Sequence, residues 1–529
     1  MFVGALTQHM TLAVSWGTPK FQAGSIPSFK PCTYYYKDFP RLRPTRTIPN
    51  GSEGSFLPKK GRDLGRILGG LFMTKRIFAF LLAAICVLSQ LAGCASMDRP
   101  SSENPVTLTI WHVYGSQTKS PFNTAIDEFN NTVGKENGIT VNVVSVTSSS
   151  AIDKALAASV NGEPGAEELP DLFTAYPRVA QIVGTDRLLA WDQYFSEQEL
   201  SAFKQEFLEE GYFDSRLLML PIAKSTEALY LNKTLFVDFS AQTGVTMDQL
   251  QSYEGLFAVA NTYYDWSGGK DFVQLNDFYH YAMLGTKADG GEFIREGKLQ
   301  LEDPSFETVW KQLARTAIYG GICLGDGYAA TRWKTVEIIS NIGSTADILY
   351  QPEQVIYPDN TTQAVEIISM PYPLFSEDAA SAVHRGGGLF AIKSSDERKN
   401  YAAAVFAKWL TEQNNNLRFV TEAGYLPVTD TAFDRLLTDP DLIQKENYRQ
   451  LYETASTMIL AYSLWAIPVF DGASDVQSRF EESVKLVLRA AHSEYIDRVQ
   501  SGAEPETVLN ELTDASHDAL IQSFYGAEG

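Results

Sequence analysis

The chain has 529 residues, 44% of them hydrophobic and 20% charged, and a formal net charge of −21. Residues 1–72 hold ten Lys/Arg and three Asp/Glu, whereas residues 94–529 hold 31 basic and 61 acidic residues. An acidic body disfavours nucleic acid as a partner, because phosphate groups bind Lys and Arg. The 436 residues from Cys94 onward are too many for one hydrophobic core and fit two domains.

An apolar segment, Ile77–Ala92, follows the basic pair Lys75 and Arg76. It is shorter than the ~20 residues that a membrane-spanning helix needs. A basic flank, an apolar centre and a small-residue end are typical of a secretory signal, although a buried core helix is an alternative. The sequence LAGC at residues 91–94 resembles a bacterial lipobox. We therefore expect Cys94 to become the lipidated N-terminus of the mature protein.

Met73 directly precedes this basic flank, so we expect translation to begin there and residues 73–93 to form the signal peptide. Residues 1–72 contain turn and breaker residues without a sustained period. We interpret them as a mis-annotated upstream extension or a disordered leader. Residues 94–105 include DRPSSENP, whose composition is typical of a linker. We expect them to be a lipid-anchored tether.

The next part of the chain alternates strand and helix patterns. VTLTIWHVYG alternates apolar residues with Thr, and SPFNTAIDEFNNT carries apolar residues at helical spacing. GITVNVVSV, AIDKALAASV and LPDLFTAY complete a β-α-β-α-β order, which predicts a mainly parallel sheet covered by helices. Later, RGGGLFAIK predicts a strand and ERKNYAAAVFAKWLTEQ an amphipathic helix. The tail from about Arg479 predicts two helices separated by SGAEPE.

These segments, in this order, resemble the family 1 extracellular solute-binding proteins of ATP-driven (ABC) importers over about residues 105–525. The segments ELPDLFTAY, LPIAKSTEALYLNKTLF and GGGLFAIKSSDERKNYAAAVFAKWLTEQNNNLRFVTEAGYLPV carry the resemblance. It implies a Venus-flytrap fold of class α/β, in which two lobes close on a ligand. The chain would cross between the lobes near 220–232, near 386–392 and after 424–428. Lobe 1 would then contain 106–222 and about 388–440, and lobe 2 about 223–387 and about 441–529.

The resemblance also implies a function. We expect a monomer that captures a small solute, most consistent with a mono- or oligosaccharide, and delivers it to the transmembrane permease subunits of an ABC importer. The ATPase would be a separate chain, and this chain would perform no chemistry. The lipid anchor would attach it to the membrane, at the extracellular face of the cytoplasmic membrane or in the periplasm.

Sugars present flat C–H faces and a rim of hydroxyl groups, which aromatic rings and polar groups can bind. In α/β proteins such groups collect at the carboxyl ends of parallel strands. We expect ligand contacts from aromatic residues that follow predicted strands or lie in loop-like stretches, although core packing is the alternative for each: Trp111, Tyr114, Tyr176, Trp266, Tyr425 and Trp465.

Some segments resemble the glycerol-3-phosphate-binding members of the family: AKSTEALYLNK, IGSTADI, RGGGLFAI, GYLPV and QSRFEES. A phosphate or phosphodiester ligand is therefore an alternative. Two observations oppose it, since Val273 stands where the central Trp of that subgroup would align, and the net charge from Cys94 onward is negative. The nearby charges Lys224 and Glu227 are interpreted as solvated hinge residues rather than ligand contacts. Carried over from that subgroup, the contact residues would be Ser225, Ser344, Gly387, Tyr425 and Arg479.

The sequence offers little support for other classes of function. A glycoside hydrolase needs two carboxylates flanking the scissile bond, and no spacing here defines such a pair. A G-x-S-x-G elbow and an H-E-x-x-H pair are both absent from the sequence. Of the four cysteines, only Cys94 and Cys323 follow the cleavage site, so no disulfide framework is expected. We expect no catalytic residue, metal or cofactor. An adhesive surface lipoprotein is a third alternative.

Overall fold

The structure is a computed structural model. It describes residues 99–114, 120–145, 148–470 and 472–526. The predicted leader (1–72), the predicted signal peptide (73–93) and the predicted lipidation site Cys94 lie outside the described residues. Within the described part of the chain, no helix has both the length and the apolar composition needed to cross a membrane.

The last residues of the predicted tether lie against the folded body. Arg99 lies over the ring of Tyr401, 4.9 Å from its centroid, and Arg398 donates a hydrogen bond to Asn104. A tight turn from Ser101 to Asn104 leads directly into the first strand. Residues 99–105 are therefore a part of the fold and not a free linker.

Two mixed β-sheets organise the described part of the chain, and three two-stranded antiparallel sheets accompany them. The strands are β1 Val106–His112, β2 Ile139–Ser145, β3 Leu172–Ala175, β4 Tyr212–Phe213, β5 Arg216–Leu217, β6 Leu220–Pro221, β7 Ser225–Asn232, β8 Val273–Leu275, β9 Ile294–Arg295, β10 Lys298–Leu299, β11 Ser340–Ser344, β12 Gln354–Ile356, β13 Thr362–Ala364, β14 Ile367–Met370, β15 Ser381–Arg385, β16 Gly388–Ala391 and β17 Ser463–Trp465.

Helices cover both sheets and connect their strands. They are α1 Pro121–Asn131, α2 Val133–Asn137, α3 Ser149–Asn161, α4 Val179–Val183, α5 Glu197–Leu200, α6 Gln205–Glu209, α7 Lys233–Thr243, α8 Tyr253–Ser267, α9 Phe278–Ala288, α10 Pro304–Tyr319, α11 Ala329–Lys334, α12 Glu397–Thr411, α13 Gln413–Ala423, α14 Asp430–Thr438, α15 Glu446–Ala461, α16 Ala473–Gln500 and α17 Pro505–Gly526. The predicted pair of C-terminal helices is confirmed as α16 and α17.

The first sheet has the strand order β2-β1-β3-β16-β6. Its first three strands are parallel, as the β-α-β-α-β pattern predicts. Strand β16 returns from the second sheet and pairs antiparallel with β3 and β6. Helix α1 shows why the connecting segments are helical: Ser120 caps it, a proline begins it, and its buried face repeats at helical spacing, with Phe122, Ala125, Ile126 and Phe129 buried.

The second sheet has the strand order β17-β15-β7-β11-β8, with β14 also paired to β7. Strand β7 is buried along its whole length, because helices cover both faces of the sheet at this strand. Strand β11 runs parallel to β8 and antiparallel to β7. The carboxyl end of β11 and the start of β7 therefore lie at the same edge of this sheet.

Three connections run between the two sheets: from β6 to β7, from β15 to β16, and through the residues after α13. Lys224 links all three. Its backbone N–H donates to the carbonyl of Leu426 at 3.1 Å, and its Nζ donates to the carbonyl of Gly386 at 2.9 Å. The ammonium also forms an ion pair with Glu210 at 2.9 Å. Lys224 is fully buried, so the interpretation of Lys224 and Glu227 as solvated charges is wrong.

Candidate functional site

A cavity of about 190 Å³ lies between the two sheets, at the connections just described. The carboxyl ends of β1 and β3 contribute its walls on one side, and the carboxyl end of β11 and the start of β7 contribute them on the other. This is the position where α/β folds collect ligand-binding groups. The lining residues are Val113, Tyr114, Thr174, Ala175, Tyr176, Ser225, Ser344, Ala346, Asp347, Tyr350, Arg385, Gly386, Gly387 and Tyr425.

The structure brings six of the ten predicted ligand contacts together in this cavity. They come from segments far apart in the sequence, and each lobe supplies some of them. Tyrosine and serine hydroxyls dominate the group, so the cavity offers many hydrogen-bond donors and acceptors beside aromatic rings. The six residues are Tyr114, Tyr176, Ser225, Ser344, Gly387 and Tyr425.

Tyr114 and Tyr425 form one aromatic wall. Their ring centroids lie 5.2 Å apart at an interplanar angle of 85°, and Phe419 lies against the Tyr114 ring at the same distance. Edge-to-face contacts of this kind fix the orientation of both rings. Burial raises the pKa of both tyrosines far above the ordinary value, so both hydroxyls stay protonated and can donate.

His112 positions Tyr114. The backbone N–H of Tyr114 donates to His112 Nδ1 at 3.2 Å, and His112 Nε2 lies 2.7 Å from Asn123 Oδ1. With Nδ1 acting as acceptor, Nε2 carries the proton and donates to the amide oxygen. Burial lowers the pKa of His112 to about 4, despite the opposing hydrogen bond with Asn123, so the ring is neutral at pH 7.

The glycine pair Gly386 and Gly387 allows the crossing segment to approach the end of β3. A Cβ on Gly387 would clash with the carbonyl oxygen of Ala175, and one on Gly386 would press on the Ala223 carbonyl. Gly386 also has a φ of +106°, which side chains other than glycine rarely allow. Gly386 and Gly387 form the floor of the cavity. The absence of side chains allows this floor to lie close to Tyr176, which is the next residue after β3.

Behind the floor lies a buried network of charges that the sequence analysis missed. Arg385 Nη1 donates to Glu227 Oε1 at 2.9 Å, and the same oxygen lies 2.9 Å from His280 Nδ1. Asp277 Oδ2 lies 3.4 Å from the same ring nitrogen of His280. Burial would raise the pKa of Glu227, but the neighbouring His280 and Arg385 bring it below the ordinary value. Glu227 is therefore an anion that offsets the charge of Arg385.

Asp347 is the second charged side chain facing the cavity. It follows β11 within the short 3₁₀ helix Thr345–Tyr350, and its Oδ2 accepts a hydrogen bond from the Asn276 amide at 2.9 Å. Burial raises the pKa of Asp347 to about 6, which the opposing charge of Arg385 only partly offsets. Arg385 precedes the glycine run and Asp347 follows IGST, but neither position carries a sequence signal for a site.

A second cavity, of about 340 Å³, adjoins the first and shares Tyr176, Arg385 and Gly386 with it. The guanidinium of Arg178 lies 4.9 Å from the Tyr176 ring and is paired with Asp153 at 2.6 Å. The opposite wall is apolar and comes from the loop before α16, residues 467–469. The space between the lobes therefore continues beyond the first cavity.

The structure places Trp111 and Trp266 outside both cavities. Trp111 is only 4% exposed and is buried in a cluster beneath α3, because alternate side chains of β1 point to opposite faces of the sheet. Trp266 was expected in a loop, but it belongs to helix α8. Its ring contacts Phe239 at 5.3 Å, and its indole N–H donates to Gln242 at 3.1 Å.

Trp465 and Arg479 also lie outside both cavities. Trp465 is in β17 at the edge of the second sheet, where the ammonium of Lys287 lies 3.8 Å from its ring centroid. Arg479 is in the second turn of α16, and its guanidinium lies 4.4 Å from the ring centroid of Phe524 in α17. This side of α16 faces α17 rather than the space between the sheets, so Arg479 does not line the cavity.

Comparison with known proteins extends these observations. The sn-glycerol-3-phosphate-binding periplasmic protein UgpB of Shigella flexneri is 24% identical over 307 residues, which cover 49% of this chain. The chain spans about 63% of the length of that protein.

Solved structures share the fold at low sequence identity. UgpB from Mycobacterium tuberculosis in complex with glycerophosphocholine superposes with a TM-score of 0.58 at 17% identity, covering 79% of this chain and 99% of that one. Maltose-bound MalE3 of T. maritima gives 0.57 at 16% identity, covering 78% and 98%. The Listeria monocytogenes protein Lmo0181, in complex with cycloalternan, gives 0.57 at 13%, covering 79% and 99%. The predicted two-lobed α/β fold is confirmed.

The sequence model of a protein family, the bacterial extracellular solute-binding proteins, matches residues 124–449, which is more than half of the chain. The match contains most of both sheets, and it includes every residue that lines the first cavity apart from Val113 and Tyr114. The resemblance seen in the sequence is confirmed: the chain belongs to the family of bacterial extracellular solute-binding proteins.

Proposed function

We propose that this protein captures a small polyhydroxyl solute, either a carbohydrate or a glycerophosphate ester, between its two lobes and delivers it to the permease of an ABC importer. The observation that carries the proposal is the cavity lined from both lobes by tyrosine and serine hydroxyls. Such groups bind the hydroxyl rim of a solute, while the aromatic rings cover its C–H faces.

The connections between the sheets support a mechanism of capture. Two lobes joined by a few crossing segments close around a ligand by bending at those segments. Because the cavity takes residues from both lobes, a bound solute would bridge them and favour the closed form. The closed form would be the one that the permease recognises.

The protein itself would be a carrier rather than an enzyme. After signal cleavage, lipid on Cys94 would hold it at the extracellular face of the membrane or in the periplasm. Residues 94–98 would lead from the anchor to the described fold, which begins at residue 99. The permease and its ATPase would be separate chains.

A thermal-shift screen tests the proposal, using residues 98–529. The panel contains neutral mono-, di- and trisaccharides, glycerol 3-phosphate and glycerophosphocholine. A ligand present at a hundred times its dissociation constant stabilises the folded state by about 2.7 kcal/mol, which such a screen detects. A shift with at least one compound supports solute capture, whereas no shift with any of them contradicts the proposed function.

A further inference from the structure

The charged side chains of the first cavity distinguish between the two solute classes. Among the described residues that line it, Arg385 and Asp347 are the side chains that carry a full charge. The charge of Arg385 is offset by Glu227, whose Oε1 lies 2.9 Å from Nη1. Asp347 adds a negative charge with no lysine or arginine partner within ion-pair distance among the described residues. Asp347 is therefore the anionic side chain that faces the cavity, whereas the cation that lines it, Arg385, already has Glu227 as its ion-pair partner.

The position of Asp347 is fixed by its neighbours. The Asn276 amide donates to Oδ2 at 2.9 Å, and residue 343 is a glycine whose Cβ would clash with that oxygen. The Arg385 backbone pairs with Ser225 in the adjoining strand β7, which places a hydroxyl beside the same floor. An ionised carboxylate accepts about four hydrogen bonds, so the bonds from the Asn276 amide and the Ser344 backbone leave acceptor sites for a ligand.

A hydroxyl-rich cavity that presents a carboxylate suits one class of solute better than the other. A carboxylate accepts hydrogen bonds from the hydroxyl groups of a sugar, and such charge-assisted bonds are stronger than neutral ones. A phosphate monoester carries a charge of about −1.5 to −2 at pH 7 and offers acceptors but few donors. Next to Asp347 it would meet like charge in a site of low dielectric, where repulsion is strong.

We propose that Asp347 is the residue that determines the solute specificity of the cleft, by accepting hydrogen bonds from an uncharged carbohydrate and by repelling phosphate monoesters. This inference rests on the proposed function and narrows it to the neutral class. The raised pKa of Asp347, about 6, is consistent with this role, because the partly buried carboxylate is mostly ionised at pH 7.5.

The test compares the wild-type protein with Asp347→Asn by isothermal titration calorimetry at pH 7.5. The probes are glucose, maltose, maltotriose, glycerol 3-phosphate and glycerophosphocholine. Glu353→Gln is the matched control, because Glu353 is an exposed acid in the same lobe and its loss changes the net charge equally. We expect the wild type to prefer a neutral saccharide. Asp347→Asn should lower the affinity for that saccharide about tenfold and raise the affinity for glycerol 3-phosphate by a similar factor. The substitution removes the negative charge of the side chain and keeps its shape.

The informative quantity is the ratio of the affinity for the saccharide to the affinity for glycerol 3-phosphate. A purely structural defect would lower both affinities together. A wild type that prefers glycerol 3-phosphate would overturn the inference and leave the proposed function standing. An affinity ratio in Asp347→Asn that matches Glu353→Gln would also overturn it. If no probe binds the wild type, the proposed function fails and the inference fails with it. Should Asp347→Asn misfold, Asp347→Ser provides the same comparison.

Discussion

Lys224 and Gly386 lie on two different connections between the lobes, and the Lys224 ammonium donates to the Gly386 carbonyl at 2.9 Å. The same ammonium is paired with Glu210, which in turn lies 2.7 Å from His384. Burial would raise the pKa of Glu210, but Lys224 and His384 bring it below the ordinary value. The buried ammonium of Lys224 thus connects the crossing segments at which the lobes would bend.

Replacing Lys224 should therefore destabilise the protein strongly. In Lys224→Met the Glu210 carboxylate loses its main partner in a buried position, and such losses cost about 3–5 kcal/mol. Lys233→Met is the control, since Lys233 pairs with Glu366 at the surface and such pairs contribute about 0–1 kcal/mol. Urea denaturation followed by circular dichroism measures both. Similar midpoints for the two variants would contradict the role given to Lys224.

Loss of the aromatic wall should weaken solute binding. Tyr425→Ala removes a ring that lines the cavity and also packs edge to face on Tyr114, a contact contributing about 0.5–1.5 kcal/mol. We expect the affinity for the solute found in the thermal screen to fall about tenfold or more, since a wall of the site is lost. Calorimetric titration measures it, with the exposed Tyr328→Ala as control. Unchanged affinity in Tyr425→Ala would remove this residue from the site.

Trp111 and Trp266, which both lie outside the cavities, should behave differently from each other. Trp111→Ala removes a large buried side chain and should cost about 3–5 kcal/mol of stability. Trp266→Ala, at a residue that is 38% exposed, should cost less and leave solute affinity unchanged. Thermal unfolding and titration of both variants check this. A binding defect in Trp266→Ala would show that the cavity described here is not the whole ligand site.

The buried His112 should make the protein less stable in mild acid. Its folded pKa of about 4 lies below the ordinary value of 6.5, so the neutral ring contributes stability above pH 6.5 that is lost as the pH falls towards 4. The difference corresponds to about 3 kcal/mol. Urea denaturation of the wild type and of His112→Gln between pH 7 and 4.5 measures it. We expect a shallower pH dependence in the variant; parallel curves would contradict the assignment.

Gly387→Ala should disturb the fold more than an ordinary glycine substitution. The added Cβ would meet the carbonyl of Ala175, a backbone atom that cannot rotate away. Gly244→Ala is the control: Gly244 has a φ of +77° but open space around it, so only backbone strain of about 1 kcal/mol is expected there. Differential scanning calorimetry compares the two melting temperatures. A larger loss in Gly244→Ala would be inconsistent with the close approach of the two backbones.

Much of the fold was predictable because its information is local. Alternating apolar residues in 106–112 and helical spacing in Pro121–Asn131 appear directly in the sequence, and their order along the chain predicts the parallel part of the first sheet. Tyr114 and Tyr176 were also predictable as candidates, because a residue just after a parallel strand lies at the ligand-binding edge of the sheet. Ser225, Ser344 and Gly387 were predicted differently, from the resemblance to the glycerol-3-phosphate-binding members of the family.

The cavity itself depended on contacts between segments distant in sequence. Arg385 and Glu227 are 158 positions apart and meet only through the pairing of β15 with β7, so no local pattern indicates that one offsets the charge of the other. Trp111 is a second example, because the strand's place in the fold decides to which face of the sheet its side chain points. Local periodicity identifies strands and helices, whereas the burial and pairing of charges follow from tertiary packing.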